Sequence, residues 1–295
     1  MTLSEDRKGS LAVLAAGTMW GAIGAFVAEL AAAGSTPALT AFFRMGFGFV
    51  AVAIVSAFSG QLWAGRKAML ACAALGLFSH APFNVCFSAS VEANGVALSS
   101  VLVYTSAIFT ALASRAFFAE AFTRRKIVAL IINVIGCALA VTGGDLSGGT
   151  FSWTGLLLGL GSGFFYSMIA VVGTVAGRYA GPFTVSTWSY LFASLALLVV
   201  TRPPLASVGP KLAWIGFLYG LFGAAIPYLF YYAGLRRVRE TSRVPVLASI
   251  EPVTATIIGI TIYREALGWG NLLGIVLVLA SIAMMSAPAR QDAQS

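Results

Sequence analysis

The sequence predicts an all-α integral membrane protein: ten transmembrane helices, built as two inverted five-helix repeats, with the N-terminus and the C-terminus cytoplasmic. Three observations carry this expectation. The 295-residue chain is 59% hydrophobic and only 9% charged, with a mean hydropathy of +0.91, where a soluble domain carries about 25% charged residues. Its basic residues sit in short segments between apolar runs. A shift of 145 positions carries Pro37 onto Pro182, Pro82 onto Pro227 and Glu120 onto Glu265.

The apolar runs cover roughly 11–33, 37–59, 68–90, 94–118, 125–143, 153–176, 182–201, 211–234, 241–263 and 268–287. Crossing a hydrocarbon core of about 30 Å takes about 20 helical residues. Lipid-exposed backbone must satisfy its own hydrogen bonds, so each run is expected to be helical. The alternating segments of about 10 residues that mark a membrane barrel are absent. The first run exceeds the apolar core of about 7–15 residues of a cleavable signal and reads as the first span. Pro37 and Pro182 each open a helix, the second and the seventh. Polar breaks such as "SGQLWAGRK" and "TRPPLASVGPK" separate the spans.

Charge orients the chain. With the N-terminus inside, the cytoplasmic segments hold Arg7, Lys8, Arg66, Lys67, Arg115, Arg124, Arg125, Lys126, Arg178, Arg236, Arg237, Arg239, Arg243 and Arg290. The other side holds Arg202, Lys211 and Arg264, while Arg44 lies within a helix. The excess of basic residues inside places both termini in the cytoplasm. The net charge of +8 thus reflects topology and lipid headgroups rather than a nucleic-acid partner. Cys72, Cys86 and Cys137 each lie inside an apolar run. They read as packing residues, not a disulfide framework.

The internal register divides the chain into a first five-helix unit, 10–143, and a second, 153–287, with cytoplasmic tails at 1–9 and 288–295. "GLF" at 76–78 also meets "GLF" at 220–222 with one residue of slip. Five spans is an odd number, so the second unit enters the membrane from the opposite side. Inverted repeats of this kind mark alternating-access carriers, which bind substrate near the midplane.

Ionisable groups within a span cost about 2.5–3.5 kcal/mol each and point to function. His80 is halfway along the third span, in "FSHAPFN", and shares a helical face with Asn84 and Phe87. Pro82 frees a carbonyl one turn earlier. Ser79, His80 and Asn84 therefore become candidate cavity residues, with a hydrogen-bonded packing role as the alternative for His80. Glu251 is halfway along the ninth span, directly before Pro252. It is read either as a gate, cavity wall or proton site, or as a fixed link to Arg44 or a hydroxyl. Glu29 and Glu92 lie near outer helix ends, within reach of water. Aromatic residues at mid-depth, Trp20, Tyr104, Tyr166 and Tyr228 among them, suit an apolar cleft with a few placed polar groups. Pro82, Pro227 and Pro252 are the candidate bending points for gating. No metal ligand set accompanies the single histidine, so neither a metal nor a cofactor is expected. Stretches such as Gly17-x3-Gly21 and Gly155-x3-Gly159-x3-Gly163 allow close helix approach. Glu120 and Glu265 are expected to close their helices by binding backbone amides or basic side chains. The fifth and tenth spans, free of intramembrane charge, read as scaffold or dimer face. Monomer and homodimer both stay open.

These features together resemble a known family. Two five-helix halves, Trp20-Gly21 in the first helix, the E-A-x turns at Glu120 and Glu265, and "IEPV" (250–253) are similar to the drug/metabolite transporter superfamily. Within it the chain resembles the EamA-type ten-helix exporters, with the YddG-type exporters of aromatic amino acids as the nearest branch. The resemblance covers nearly the whole chain. It implies outward movement of a small metabolite, an aromatic or other amino acid, across the bacterial inner membrane. One departure is visible: the first-half position matching Pro252 is Ala107, so the fourth helix lacks that breaker.

Other classes fit less well. An intramembrane enzyme needs a nucleophile–base pair or a metal cluster. A channel needs a filter or charged ring, and a primary pump needs a G-x4-G-K-[ST] phosphate loop. None is present in the sequence. The alternative to amino acid export is a transporter of the same fold for another amphipathic metabolite or drug, with a channel as the more distant option.

Overall fold

A computed structural model describes residues 4–145, 152–262, 264 and 268–286; Glu265 and Arg290 lie outside these. Every regular element among them is helical. In chain order the α-helices are α1 (Glu5–Trp20), α2 (Ile23–Ala32), α3 (Pro37–Phe58), α4 (Arg66–Leu75), α5 (Ala81–Tyr104), α6 (Ser106–Phe118) and α7 (Arg124–Thr142). There follow α8 (Trp153–Gly177), α9 (Pro182–Thr201), α10 (Pro210–Gly220), α11 (Ile226–Leu235), α12 (Val244–Ala248), α13 (Ile250–Ile262) and α14 (Trp269–Ser286). Two π-helical turns, Gly76–His80 and Leu221–Ala225, join α4 to α5 and α10 to α11.

Helix starts follow the local sequence. Ser4, Thr36, Thr123 and Ser152 each accept a backbone N–H three residues on, from Arg7, Leu39, Lys126 and Gly155. Such caps satisfy donors that the first helical turn leaves without partners. Pro37 and Pro182 stand at the first helical position, where no amide hydrogen is needed.

Among the described residues these helices join into nine continuous runs long and apolar enough to cross a membrane. One run, Arg66–Phe118, is 53 residues long, far beyond the roughly 20 that span a bilayer. It is interrupted at Gly95, with φ 79° and ψ 167°. Nothing crowds Gly95; the positive φ is what requires glycine there. Ser90 and Ser99, on either side, share a hydroxyl–hydroxyl hydrogen bond of 2.8 Å. Nine residues of straight helix would hold them about 13 Å apart along the axis. The chain therefore turns back at Gly95, and the long run is a helical hairpin.

The two halves interlock. Helix α1 packs on α11, α3 on α9 and α10, α8 on α4, α5 and α6, and α7 on α14. The π-helical turns fall 145 residues apart, in the register that relates Pro82 to Pro227. Each is followed by an α-helix whose second residue is that proline.

One end of the bundle is tied tightly. Glu120 follows Ala119, a left-handed helix cap at φ 55°. Its Oε1 accepts the Thr241 amide at 2.6 Å, and its Oε2 accepts the Ser242 amide at 3.3 Å and the Ser242 hydroxyl. Lys126 Nζ, 5% exposed, lies 3.4 Å from Glu120 Oε2 and 3.1 Å from Glu240 Oε2. Asp6 accepts from Arg243 Nη1 at 3.0 Å and from the Arg239 amide at 2.9 Å. Glu5 pairs with Arg237 at 3.2 Å. The start of α1, the turn after α6 and the segment before α12 thus meet at one end.

Candidate substrate site

The ninth predicted span is two helices, not one. Helix α12 ends at Ala248, Ser249 breaks the spiral, and α13 begins at Ile250. The fourth span breaks in the same way: α5 ends at Tyr104, and Thr105 separates it from α6. Thr105 Oγ1 donates to the Leu102 carbonyl at 2.5 Å, and Ser249 Oγ donates to the Val246 carbonyl at 2.6 Å. A hydroxyl that bonds back three residues competes with the helical donor and loosens the turn. The two breaks lie within one residue of the 145-residue register. This corrects the expectation that the fourth helix lacks a breaker because Ala107 stands opposite Pro252. Pro252 is the third residue of α13, where its missing amide hydrogen is tolerated. The interruption falls at Ser249, not at Pro252.

Glycines bring the first and sixth spans against these breaks. A Cβ on Gly17 would sit 2.5 Å from the Ala248 carbonyl oxygen and 2.7 Å from Ile250 Cγ2. On Gly163 it would sit 2.6 Å from Thr105 Oγ1 and 2.7 Å from the Leu102 carbonyl oxygen. Only glycine permits that approach of backbone to backbone.

Between the breaks lies a dense aromatic group. The Trp20 ring stands 4.8 Å from Tyr228, 5.4 Å from Tyr231 and 6.5 Å from Tyr166, centroid to centroid. His80 Nε2 is 2.7 Å from the Tyr232 hydroxyl, and its ring meets Tyr228 and Tyr190 edge-on at 5.0 and 5.6 Å. The Asn84 amide donates to the His80 carbonyl at 2.8 Å, which supplies a donor beside the π-helical turn. Trp20, Ser79, His80, Asn84 and Tyr228 are all buried. Trp20 Nε1, Ser79 Oγ, His80 Nδ1 and the Tyr228 hydroxyl have no hydrogen-bond partner among the described residues.

Tyr104, Tyr166 and Glu251, by contrast, are only partly buried, and each of the two tyrosines lies within electrostatic reach of Glu251. Phe83 stacks near Tyr166 at 5.0 Å. The predicted residues thus fall into two layers. His80, Trp20 and Tyr228 form a packed floor, and Tyr104, Tyr166 and Glu251 form a half-open wall above it. All five residues of α12, toward the end tied by Glu120 and Asp6, are buried. Of the thirteen in α13 only Pro252, Val253 and Gly259 are.

Glu251 makes no ion pair with Arg44. Arg44, 9% exposed, instead donates from Nε to the Gly223 carbonyl at 3.2 Å and lies 6.0 Å from the Tyr228 ring. Gly223 is four residues before Pro227, so its carbonyl has no helical donor. Neither this contact nor the part played by Tyr190 was marked by any motif. The proline position and the 145-residue register were the only signals available for them. Among the described residues no three His, Cys, Asp or Glu side chains gather as metal ligands.

The profile of the EamA-like transporter family matches residues 7–142 and again 153–287. The chain belongs to the EamA-like transporter family. It is accordingly a multi-pass membrane transporter of the drug/metabolite superfamily. Similar proteins span the whole EamA unit pair. An uncharacterized transporter of Archaeoglobus fulgidus is 25% identical over 277 residues, covering 94% of this chain and 95% of its own. The uncharacterized transporter YwfM of Bacillus subtilis is 25% identical over 290 residues, covering 96% and 95%. The uncharacterized inner membrane transporter YicL of Salmonella typhimurium is 23% identical over 309 residues, covering 99% and 100%. A solved crystal structure with 16% identity superposes with a TM-score of 0.78 over 94% of this chain and 96% of the other, and so shares the EamA-like fold.

Proposed function

We propose that this EamA-like transporter is a secondary carrier that exports a small metabolite, an aromatic or other amino acid, across a bacterial inner membrane by alternating access. The observation that carries this reading is the half-open wall of Tyr104, Tyr166 and Glu251 at mid-span. It lies over a packed aromatic floor and between two broken helices, with one end of the bundle tied shut. Partly exposed polar side chains at mid-span, beside a buried aromatic cluster in a bundle tied at one end, fit a carrier held in one of its states.

Ten crossings in two inverted halves are favoured by three facts. The family profile fits twice. The π-helical turns and helix breaks repeat in one register. Asp6, Glu120 and Arg243 lie at the same end, which requires an even number of crossings between each pair. That parity is met when the hairpin at Gly95 crosses twice. The basic residues at that end then favour cytoplasmic termini, and the sealed side is the cytoplasmic one.

The test is flux in proteoliposomes. Saturable uptake of L-phenylalanine, L-tyrosine or L-tryptophan, accelerated by the same amino acid preloaded inside, is the expected result. Uptake that rises linearly with concentration and shows no counterflow would identify a channel. Counterflow with amphipathic compounds but none of these amino acids would identify a carrier of another substrate class.

A further inference from the structure

Arg44 is a cation held in the middle of a span, on α3, and among the described residues it has one hydrogen-bond acceptor. Its Nε is taken up by the Gly223 carbonyl. Its Nη1 and Nη2, with four of the five N–H donors of a guanidinium, have no acceptor among the described residues, and the residue keeps 9% of its surface exposed. Retaining such a charge at mid-membrane is costly, and the obvious remedy is an ion pair with Glu251. Ile250 and Thr254, on either side of Glu251, approach Gly17 and Gly21 of α1, and Trp20 between those glycines stands 4.8 Å from Tyr228, whose ring lies 6.0 Å from the Arg44 guanidinium, so each charge is felt by the other. No ion pair or hydrogen bond joins them, and Glu251 has no other partner among the described residues. Two opposite charges are therefore kept near each other but apart, about the Trp20–Tyr228 pair.

A single molecule that carries both charges resolves this arrangement. We infer that Arg44 and Glu251 are the specificity-determining pair for a zwitterionic substrate. The Nη1 and Nη2 edge of Arg44 takes the carboxylate, and Glu251 takes the ammonium group. This rests on the amino acid reading above and deepens it. Arg44 fits the role because a guanidinium edge matches a carboxylate in two parallel hydrogen bonds. The carbonyl of Gly223 fixes the guanidinium plane before substrate arrives, so the ordering cost of the long side chain is met by the fold. Tyr104 and Tyr166 are left to receive the apolar side chain. The split pair also sets what is refused. An amine without a carboxylate leaves Arg44 unpaired, an acid without an amine leaves Glu251 unpaired, and an unpaired charge in a low-dielectric site is penalised.

The experiment measures binding by thermal stabilisation, and uptake in proteoliposomes, with L-phenylalanine, 2-phenylethylamine and 3-phenylpropionate. The wild-type chain is expected to prefer L-phenylalanine to either single-charge analogue by at least about tenfold, the scale of one lost charged hydrogen-bonding partner. Arg44→Gln keeps a donor for Gly223 but removes the charge. It is expected to lose L-phenylalanine binding by a similar factor and to stop distinguishing it from 2-phenylethylamine. Glu251→Gln should stop distinguishing L-phenylalanine from 3-phenylpropionate while still rejecting 2-phenylethylamine. If Arg44→Gln does not fold, Arg44→Lys decides, with weaker carboxylate preference expected and unchanged preference contradicting the assignment. An Arg44→Gln protein that keeps the wild-type preference overturns the inference, as does a wild-type protein that binds none of the three. If the wild type prefers 3-phenylpropionate to 2-phenylethylamine through Arg44 but moves no amino acid, the carboxylate assignment to Arg44 survives. The Glu251 assignment and the amino acid reading then fail.

Discussion

Replacing Glu120 with alanine is expected to cost about 3 kcal/mol of stability, the scale on which breaking a buried charge pair acts. The carboxylate performs two tasks at once. It satisfies the Thr241 and Ser242 amides at the start of the segment leading into α12, and it helps neutralise Lys126. Alanine leaves those amides without their acceptor and leaves Lys126 with Glu240, which is 39% exposed, as its remaining partner. Glu120→Gln keeps an acceptor for the amides and removes the charge, so it should cost less than alanine. Adding Lys126→Met to Glu120→Gln should recover part of the loss, since the stranded cation is gone. Thermal unfolding of the purified protein in detergent reads all three. An unchanged Tm for Glu120→Ala would show that the tie between the turn after α6 and α12 contributes nothing.

His80→Ala is expected to destabilise the fold by about 2–4 kcal/mol as well as to weaken transport, combining a core cavity with a stranded hydroxyl. From sequence, a cavity-lining His80 would be removable with little effect on stability. The structure gives it a different neighbourhood. His80 is fully buried, its Nε2 is bonded to Tyr232, and Tyr190 and Tyr228 close over its ring. Tyr232→Phe separates the contributions: it removes the hydroxyl without the cavity and should cost about 0.6–1.7 kcal/mol, the range for hydrogen bonds between membrane helices. Unfolding curves for the two variants that coincide with wild type would contradict the packed floor.

The features legible in the sequence were those that composition and position impose directly. Apolar runs of fixed length gave the helices, prolines and capping hydroxyls gave their starts, and the 145-residue register gave equivalent positions. His80, Trp20, Tyr166 and Glu251 were identified because polar or amphipathic groups at mid-depth are costly. Their division into floor and wall was not legible, because it depends on which side chains of distant spans meet. Thr105 and Ser249 illustrate the limit. A hydroxyl in an apolar helix has several possible partners, and only the fold reveals that both bond back three residues at the two helix interruptions. Arg44 illustrates it further: sequence offered Glu251 as its partner, whereas the carbonyl released by Pro227 took the Nε. The gap between the apolar runs 68–90 and 94–118 falls beside the reversal that the backbone makes at Gly95, whereas the positive φ that turns the chain there was not legible.

The central claim is that Glu251 faces each side of the membrane in turn. Ile258 lies seven residues after it, on its helical face, and Leu247 four residues before it, on α12 beyond the Ser249 break; Leu247 is fully buried and Ile258 half-buried. With Cys72, Cys86 and Cys137 replaced, single cysteines at these two positions are labelled with a membrane-impermeant thiol reagent at rest and during substrate counterflow. The account predicts that Ile258→Cys reacts from outside at rest and is protected in turnover, while Leu247→Cys becomes reactive from the cytoplasmic side. Simultaneous labelling of both positions, or a Leu247→Cys that stays silent while flux proceeds, would contradict it.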